Sequence, residues 1–347
     1  MLISFGTRII GGMFGLEGTP APRYSSPDFL SGNTVQLVNA RSGIALLMDL
    51  LSPGRVWMPS YFCGHVLKDV GERASAFSYY EVGYYLNLPS LAWVDEVQVN
   101  DLVVITNYFG FPSDPECEKR VKERGAWLLV DACQALLSEN IDQFADFVLY
   151  SPRKFLGVPD GGVLIINNEI PDDLFTLKKA PTEWWLKAFT ASVLRGEYDR
   201  HGGDRRWFKL FQETEVTAPI GAYAMSELSR KMLQYSFDYG LIAERRVANY
   251  ELLAAQLGEF ALFPALPEGV VPMGFPIHIT DRDRIRQIFF SHNIYPPVHW
   301  QIAGIVPDKF HDSHRLSAEI MTLPCDQRYG EQDMERIINV FMKEVSV

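Results

Sequence analysis

Residues 127–166 read WLLVDACQALLSENIDQFADFVLYSPRKFLGVPDGGVLII, and the reading of this stretch decides the fold. It contains three short apolar runs, 127–130, 147–150 and 163–166, each of the kind expected for a strand covered on both faces. Asp131 closes the first run, Ser151 and Lys154 follow the second, and Asp160-Gly161-Gly162 precedes the third. In an open parallel sheet, ligands bind at such carboxyl ends of strands. Taken singly, each residue has two readings. Asp131 is a cap or loop acceptor, or the partner of a protonated ring nitrogen. Lys154 is a solvated lysine, or an amine held near an apolar site where it can lose its proton and act as a nucleophile. The Asp-Gly-Gly turn is an ordinary strand entry, or a close backbone approach to a ligand.

Working outward, the same alternation continues. Residues 56–58 and 102–105 read as strands, and Ser113-Asp114-Pro115-Glu116 has capping-box spacing ahead of a helix that ends at Gly125. Ser42 opens a helix with an apolar face of Ile44, Ala45, Leu47, Met48 and Leu51. Ser42-Gly43 is either a plain cap or a helix N-terminus suited to a phosphate. This pattern predicts an α/β domain with a mostly parallel sheet. Residues 168–222 carry no clear periodicity. Within them Trp184-Trp185 reads as a packing anchor and 196–206 as an exposed, mobile loop. Residues 224–258 read as one or two helices. A strand at 271–279, a helix at 281–292, a strand at 319–323 and a helix at 331–344 complete the pattern. The expected organisation is an arm (1–33), a large domain (34–244) and a smaller C-terminal α/β domain (245–347).

Composition narrows the function. The 347 residues are 47 % hydrophobic and 22 % charged, with a formal charge of -11. That balance argues for a globular chain and against nucleic-acid binding or adsorption to anionic lipid. A small anionic ligand remains compatible, because a local pocket can be positive on an acidic protein. The cysteines (63, 117, 133 and 325) form no CxxC pair, so neither a disulfide scaffold nor a metal site is expected. No run of 18 apolar residues suggests a membrane span, and residues 1–16 lack the order of a secretory signal, so a soluble, cytoplasmic protein is expected.

Together, a lysine nucleophile and an upstream aspartate at a strand end describe a pyridoxal phosphate (PLP) site. The sequence resembles the DegT/DnrJ/StrS family of sugar aminotransferases, which are fold-type I PLP enzymes with an aspartate aminotransferase-like architecture. The resemblance covers roughly 30–345. It is carried by VDACQA (130–135), SPRKF (151–155), DGG (160–162), VWMPSYF (56–62), NYFGFPSD (107–114), IYPPVHW (294–300) and LPCDQRYGEQDMERI (323–337). It implies that Lys154 is the Schiff-base lysine and also moves a proton. Asp131 would pair with the pyridine nitrogen, and Gln134 would lie near the ring's phenolic oxygen. Ser151, Ser42 and Gly43 would hold the phosphate, and Phe62 or Cys63 would cover the ring. His299 is a candidate substrate contact, the other reading being a packed interdomain histidine. Arg205 and Arg206, with His201, are candidates to contact an anionic substrate, the other reading being a solvated charged loop. The resemblance further implies transfer of an amino group from an amino acid, glutamate in this reading, to a keto-sugar carried on a nucleotide, by a homodimer with shared active sites. The sequence departs from the family at Ile44, where a threonine is usual, and at Ala222 and Ala224, where Asn-x-Arg is usual. The alternatives are a PLP enzyme of another substrate or reaction, such as a dehydratase, and a non-catalytic binding or regulatory protein.

Overall fold

The computed structural model describes residues 8–17, 27–168 and 175–345. Its strands are β1 (Ile10–Gly11), β2 (Thr34–Leu37), β3 (Val56–Pro59), β4 (Phe77–Tyr80), β5 (Leu102–Thr106), β6 (Trp127–Asp131) and β7 (Phe147–Tyr150). They continue with β8 (Gly162–Ile166), β9 (Lys178–Lys179), β10 (Tyr223–Ala224), β11 (Phe275–His278), β12 (Ile294–Tyr295) and β13 (Ile320–Leu323). The helices are α1 (Ala40–Leu51), α2 (Gly64–Arg73), α3 (Pro115–Glu123), α4 (Thr182–His201) and α5 (Arg206–Val216). After them come α6 (Glu227–Tyr235), α7 (Tyr239–Leu257), α8 (Arg282–Ser291), α9 (His311–Glu319) and α10 (Glu331–Val345).

Nine strands form the central sheet in the order β4-β3-β5-β6-β7-β8-β2-β10-β9. Strands β4, β3, β5, β6 and β7 are mutually parallel. β8 is antiparallel to both β7 and β2, so β2 runs in the same sense as β7. Every residue of β5 and β7 is buried, as their continuous apolar runs predict. Two small sheets, β1-β12 and β11-β13, accompany the central one. No helix among the described residues is long and apolar enough to cross a membrane.

The structure corrects several local expectations. Helix α1 starts at Ala40, and its cap is Asn39, not Ser42. Asn39 is extended, and its Oδ1 accepts from the backbone N of Ser42 at 2.9 Å. That is the cap-to-third-residue bond a helix start requires. Likewise Asp114, one residue after Ser113, caps α3. Residues 196–201 are the last turns of α4 and not a loop. The helix stops at Gly202, whose positive φ of 68° is one that glycine adopts cheaply. The reading of 224–258 as helix resolves into α6 and α7. The expected boundary at 244/245 falls inside α7, an unbroken helix from Tyr239 to Leu257. Within the expected arm, Ile10–Gly11 is a strand paired with β12.

Candidate active site

Because β3, β6 and β7 run in one direction, their carboxyl ends meet on one edge of the sheet, and the β2–α1 junction joins them there. A cavity of about 180 Å³ opens at this edge. Asp131 enters it from the end of β6, Ser151 and Lys154 from the turn after β7, Phe62 and Cys63 from the turn after β3, and Arg41 from the first turn of α1. Trp300 forms part of the wall, with the Lys154 ammonium 5.8 Å from its ring centre.

Each group is held by identifiable contacts. Asp131 is buried, and its Oδ1 accepts from the backbone N of Cys133 at 2.8 Å. Phe62 is buried against Trp300, with ring centres 5.7 Å apart. Cys63 is the N-terminal flank of α2. Both line the cavity, so the geometry leaves either free to face a ring. The Cys133 thiol is pushed well above its ordinary range by burial and by Asp131, and stays protonated. Arg153 pairs with Glu215, which comes from the far end of α5. Burial disfavours the charge on Arg153, but Glu215 more than restores it.

Other expected site residues lie behind the wall. Ser42 and Gly43 are buried in α1 and do not line the cavity. The Ser42 hydroxyl bonds Oδ1 of Asn39 at 3.2 Å and accepts from the backbone N of Gly221 at 3.3 Å. Gly43 lies flat on β7, where an added Cβ would come 2.5 Å from Cδ1 of Leu149. Gln134 is buried. Its Oε1 accepts from the backbone N of Phe109 at 2.8 Å and so holds a residue with positive φ, while its buried Nε2 has no partner among the described residues. His299 binds Thr322 Oγ1 through Nδ1 at 3.0 Å and sits edge-on to Phe109. Desolvation, and then the charge of Lys154, push its pKa down to about 3, so it is neutral at physiological pH. It backs the cavity, and its neighbour Trp300 lines it.

Arg205 and Arg206 do not reach the cavity. Arg205 donates to the Tyr295 hydroxyl at 2.8 Å, and Arg206 pairs with Asp204. His201 lies beside Glu197 at the end of α4. The Asp160-Gly161-Gly162 turn is structural in its contacts. Buried Asp160 accepts from the backbone N of Ser226 at 2.7 Å, and Gly162 allows β8 to pass Asn39, where a Cβ would come 2.4 Å from the backbone carbon. Ala222 and Ala224 flank Tyr223 at β10, where Ala224 pairs with Leu37 of β2. Sequence reasoning missed Arg41, Arg153, Trp300 and Glu215 as cavity residues. Arg153 sits inside the SPRK segment and Arg41 in the first turn of a helix that follows a strand, so both carried a signal. Glu215 carried none.

This donor set fits PLP. It offers an amine (Lys154), a buried carboxylate at a strand end (Asp131), flat apolar surfaces (Phe62, Trp300) and positive charge from Arg41 at a helix start and Arg153 after β7.

Neither a family model nor a curated protein sequence matches the chain. Solved structures do. The aminotransferase TlmJ from Streptoalloteichus hindustanus is 18 % identical with a TM-score of 0.63, over 90 % of this chain and 86 % of that one. The PLP form of a putative sugar aminotransferase, Spr1654 from Streptococcus pneumoniae, is 15 % identical with a TM-score of 0.65, over 89 % and 86 %. A DegT DnrJ EryC1 StrS aminotransferase from Brucella abortus is 14 % identical with a TM-score of 0.60, over 90 % and 85 %. The chain has the fold of these proteins, the fold-type I architecture.

Proposed function

We propose that this protein is a PLP-dependent aminotransferase of the DegT/DnrJ/StrS kind. In this reading it moves an amino group from an amino acid, glutamate first, to a keto-sugar carried on a nucleotide, and works in the cytoplasm as a homodimer with shared sites. One observation carries the reading: Lys154 and Asp131, from the ends of two neighbouring strands, line one cavity on a fold shared with aminotransferases, a putative sugar aminotransferase among them.

Bound PLP would supply an aldehyde for amine exchange and a ring that draws electrons from the carbon being deprotonated. The protein's residues do the rest. Asp131, buried at a strand end, would hold a proton on the ring nitrogen by its charge. Lys154 offers the amine that binds the cofactor and, once displaced, carries a proton to and from the substrate carbon. Trp300 and Phe62, packed on each other, would exclude water from one side of the ring. Ser151 and the start of α1 mark the phosphate end.

The test is a visible absorption spectrum of the purified protein with PLP, before and after glutamate. A lysine-dependent band that bleaches with glutamate is expected. Lys154→Ala should abolish the band and leave the fold intact. Asp131→Asn should keep the band and cut transamination by about a hundredfold or more. A band that ignores glutamate would point to another donor or another PLP reaction. No band at all would favour the non-catalytic reading.

A further inference from the structure

This inference rests on the proposed function and concerns the phosphate ester of the cofactor. Glu215 stands in the last turn of α5, and two parts of it meet arginines from two other elements. Its carboxylate pairs with the Arg153 guanidinium. Its backbone oxygen accepts from Nη2 of Arg41 at 2.9 Å. Arg41 lies in the first turn of α1, Arg153 directly precedes Lys154, and all three residues line the cavity.

The end of a helix carries partial negative charge and the start of another partial positive charge. The last turn of α5 therefore presents a carboxylate to Arg153, in the turn after β7, and a carbonyl to Arg41, at the start of α1. Burial opposes the charge on Glu215, yet Arg153, Arg41 and Lys154 hold its carboxyl below the usual range. This is an anion seat filled from within. We infer that Arg41 and Arg153 form the seat of the phosphate ester, and that Glu215 is the internal carboxylate the phosphate displaces. The Glu215 side chain is 43 % exposed, so a change of rotamer releases it to water without unpacking α5. Two guanidinium groups suit a phosphate, which they can hold through paired, charge-assisted N–H donors.

The test uses the full chain with PLP, pyridoxal and inorganic phosphate, each followed by tryptophan fluorescence, since Trp300 lines the cavity. Glu215→Gln removes the competing charge at constant size. It should tighten PLP and inorganic phosphate about tenfold and leave pyridoxal, which has no phosphate, unchanged. Arg153→Met and Arg41→Met should loosen PLP and inorganic phosphate by a similar factor, again sparing pyridoxal. If either arginine variant fails to fold, the Glu215→Gln comparison decides alone. A Glu215→Gln protein that binds phosphate ligands no tighter, or that shifts pyridoxal as much as PLP, overturns the seat even where Lys154 gives its band. A protein with no lysine-dependent band whose affinity for inorganic phosphate still rises with Glu215→Gln keeps the seat and overturns the proposed function.

Discussion

Asn39 shows how much one side chain decides at this site. Its Oδ1 caps α1 at Ser42, and its Nδ2 donates to the Pro219 carbonyl at 2.8 Å. One amide thus starts the helix that borders the cavity and ties it to the turn before β10. Asn39→Ala loses both bonds, and that from the Ser42 hydroxyl, and should cost about 1–2 kcal/mol, read as a lower urea midpoint. Asn39→Asp keeps the cap and loses the Pro219 bond, so it should fall between. An Asn39→Ala protein as stable as the parent would mean that water replaces all three bonds without loss. The pair proposed as catalytic was legible, because Asp131 and Lys154 each stand at or just past the end of a strand whose apolar run is unmistakable. The cap was not. Ser42 and Asn39 are both good capping residues, and only the backbone angle at 39 decides between them.

At the scale of elements, α1 and β7 set the floor of the site by close contact. Alanine is ordinarily the better helix residue by about 1 kcal/mol. At Gly43, however, its methyl would meet Cδ1 of Leu149 at 2.5 Å. Gly43→Ala should therefore destabilise by about 1–3 kcal/mol, and adding Leu149→Val should recover most of the loss, measured as thermal midpoints. If Gly43→Ala alone is neutral or stabilising, Leu149 yields freely and the contact is not limiting. Strands β5, β6 and β7 could be read from the sequence because both faces are covered, so the residue pattern has no gaps. Helices α4 and α5 could not. The buried face of α4 mixes Trp184, Ala188, Ala191, Ser192 and Arg195, and these residues pack partly on α5 and partly on the N-terminal segment.

At the scale of the molecule, residues 8–17 lace distant parts together. Gly11 N donates to the Tyr329 hydroxyl at 2.7 Å, and Leu16 N donates to the Ser192 carbonyl at 2.8 Å. Glu17 bonds both ways with Gly157, three residues past Lys154. Burial pushes the Glu17 carboxyl up to about 7 against the pull of Arg328. Because the folded protein then holds this proton more tightly than the unfolded chain, stability should fall as pH rises from about 4.5 to about 7. The full penalty, about 3 kcal/mol at most, is present above that window and absent below it. Glu17→Gln should flatten this part of the profile, measured as urea midpoints against pH. An unchanged slope would place Glu17 in contact with water.

By itself the sequence determined the alternating strands and helices, the parallel core and the two residues at strand ends on which the chemistry would turn. All of these are local, since an apolar run and the residue just after it need no distant partner to be recognised. Only the tertiary structure decided which side chains share the cavity. Glu215 reaches Arg153 and Arg41 across gaps of 62 and 174 residues, and Ser42 and His299 turn to packed partners behind the wall. Such pairings depend on how helices dock onto the sheet, and docking leaves no periodic mark along the chain.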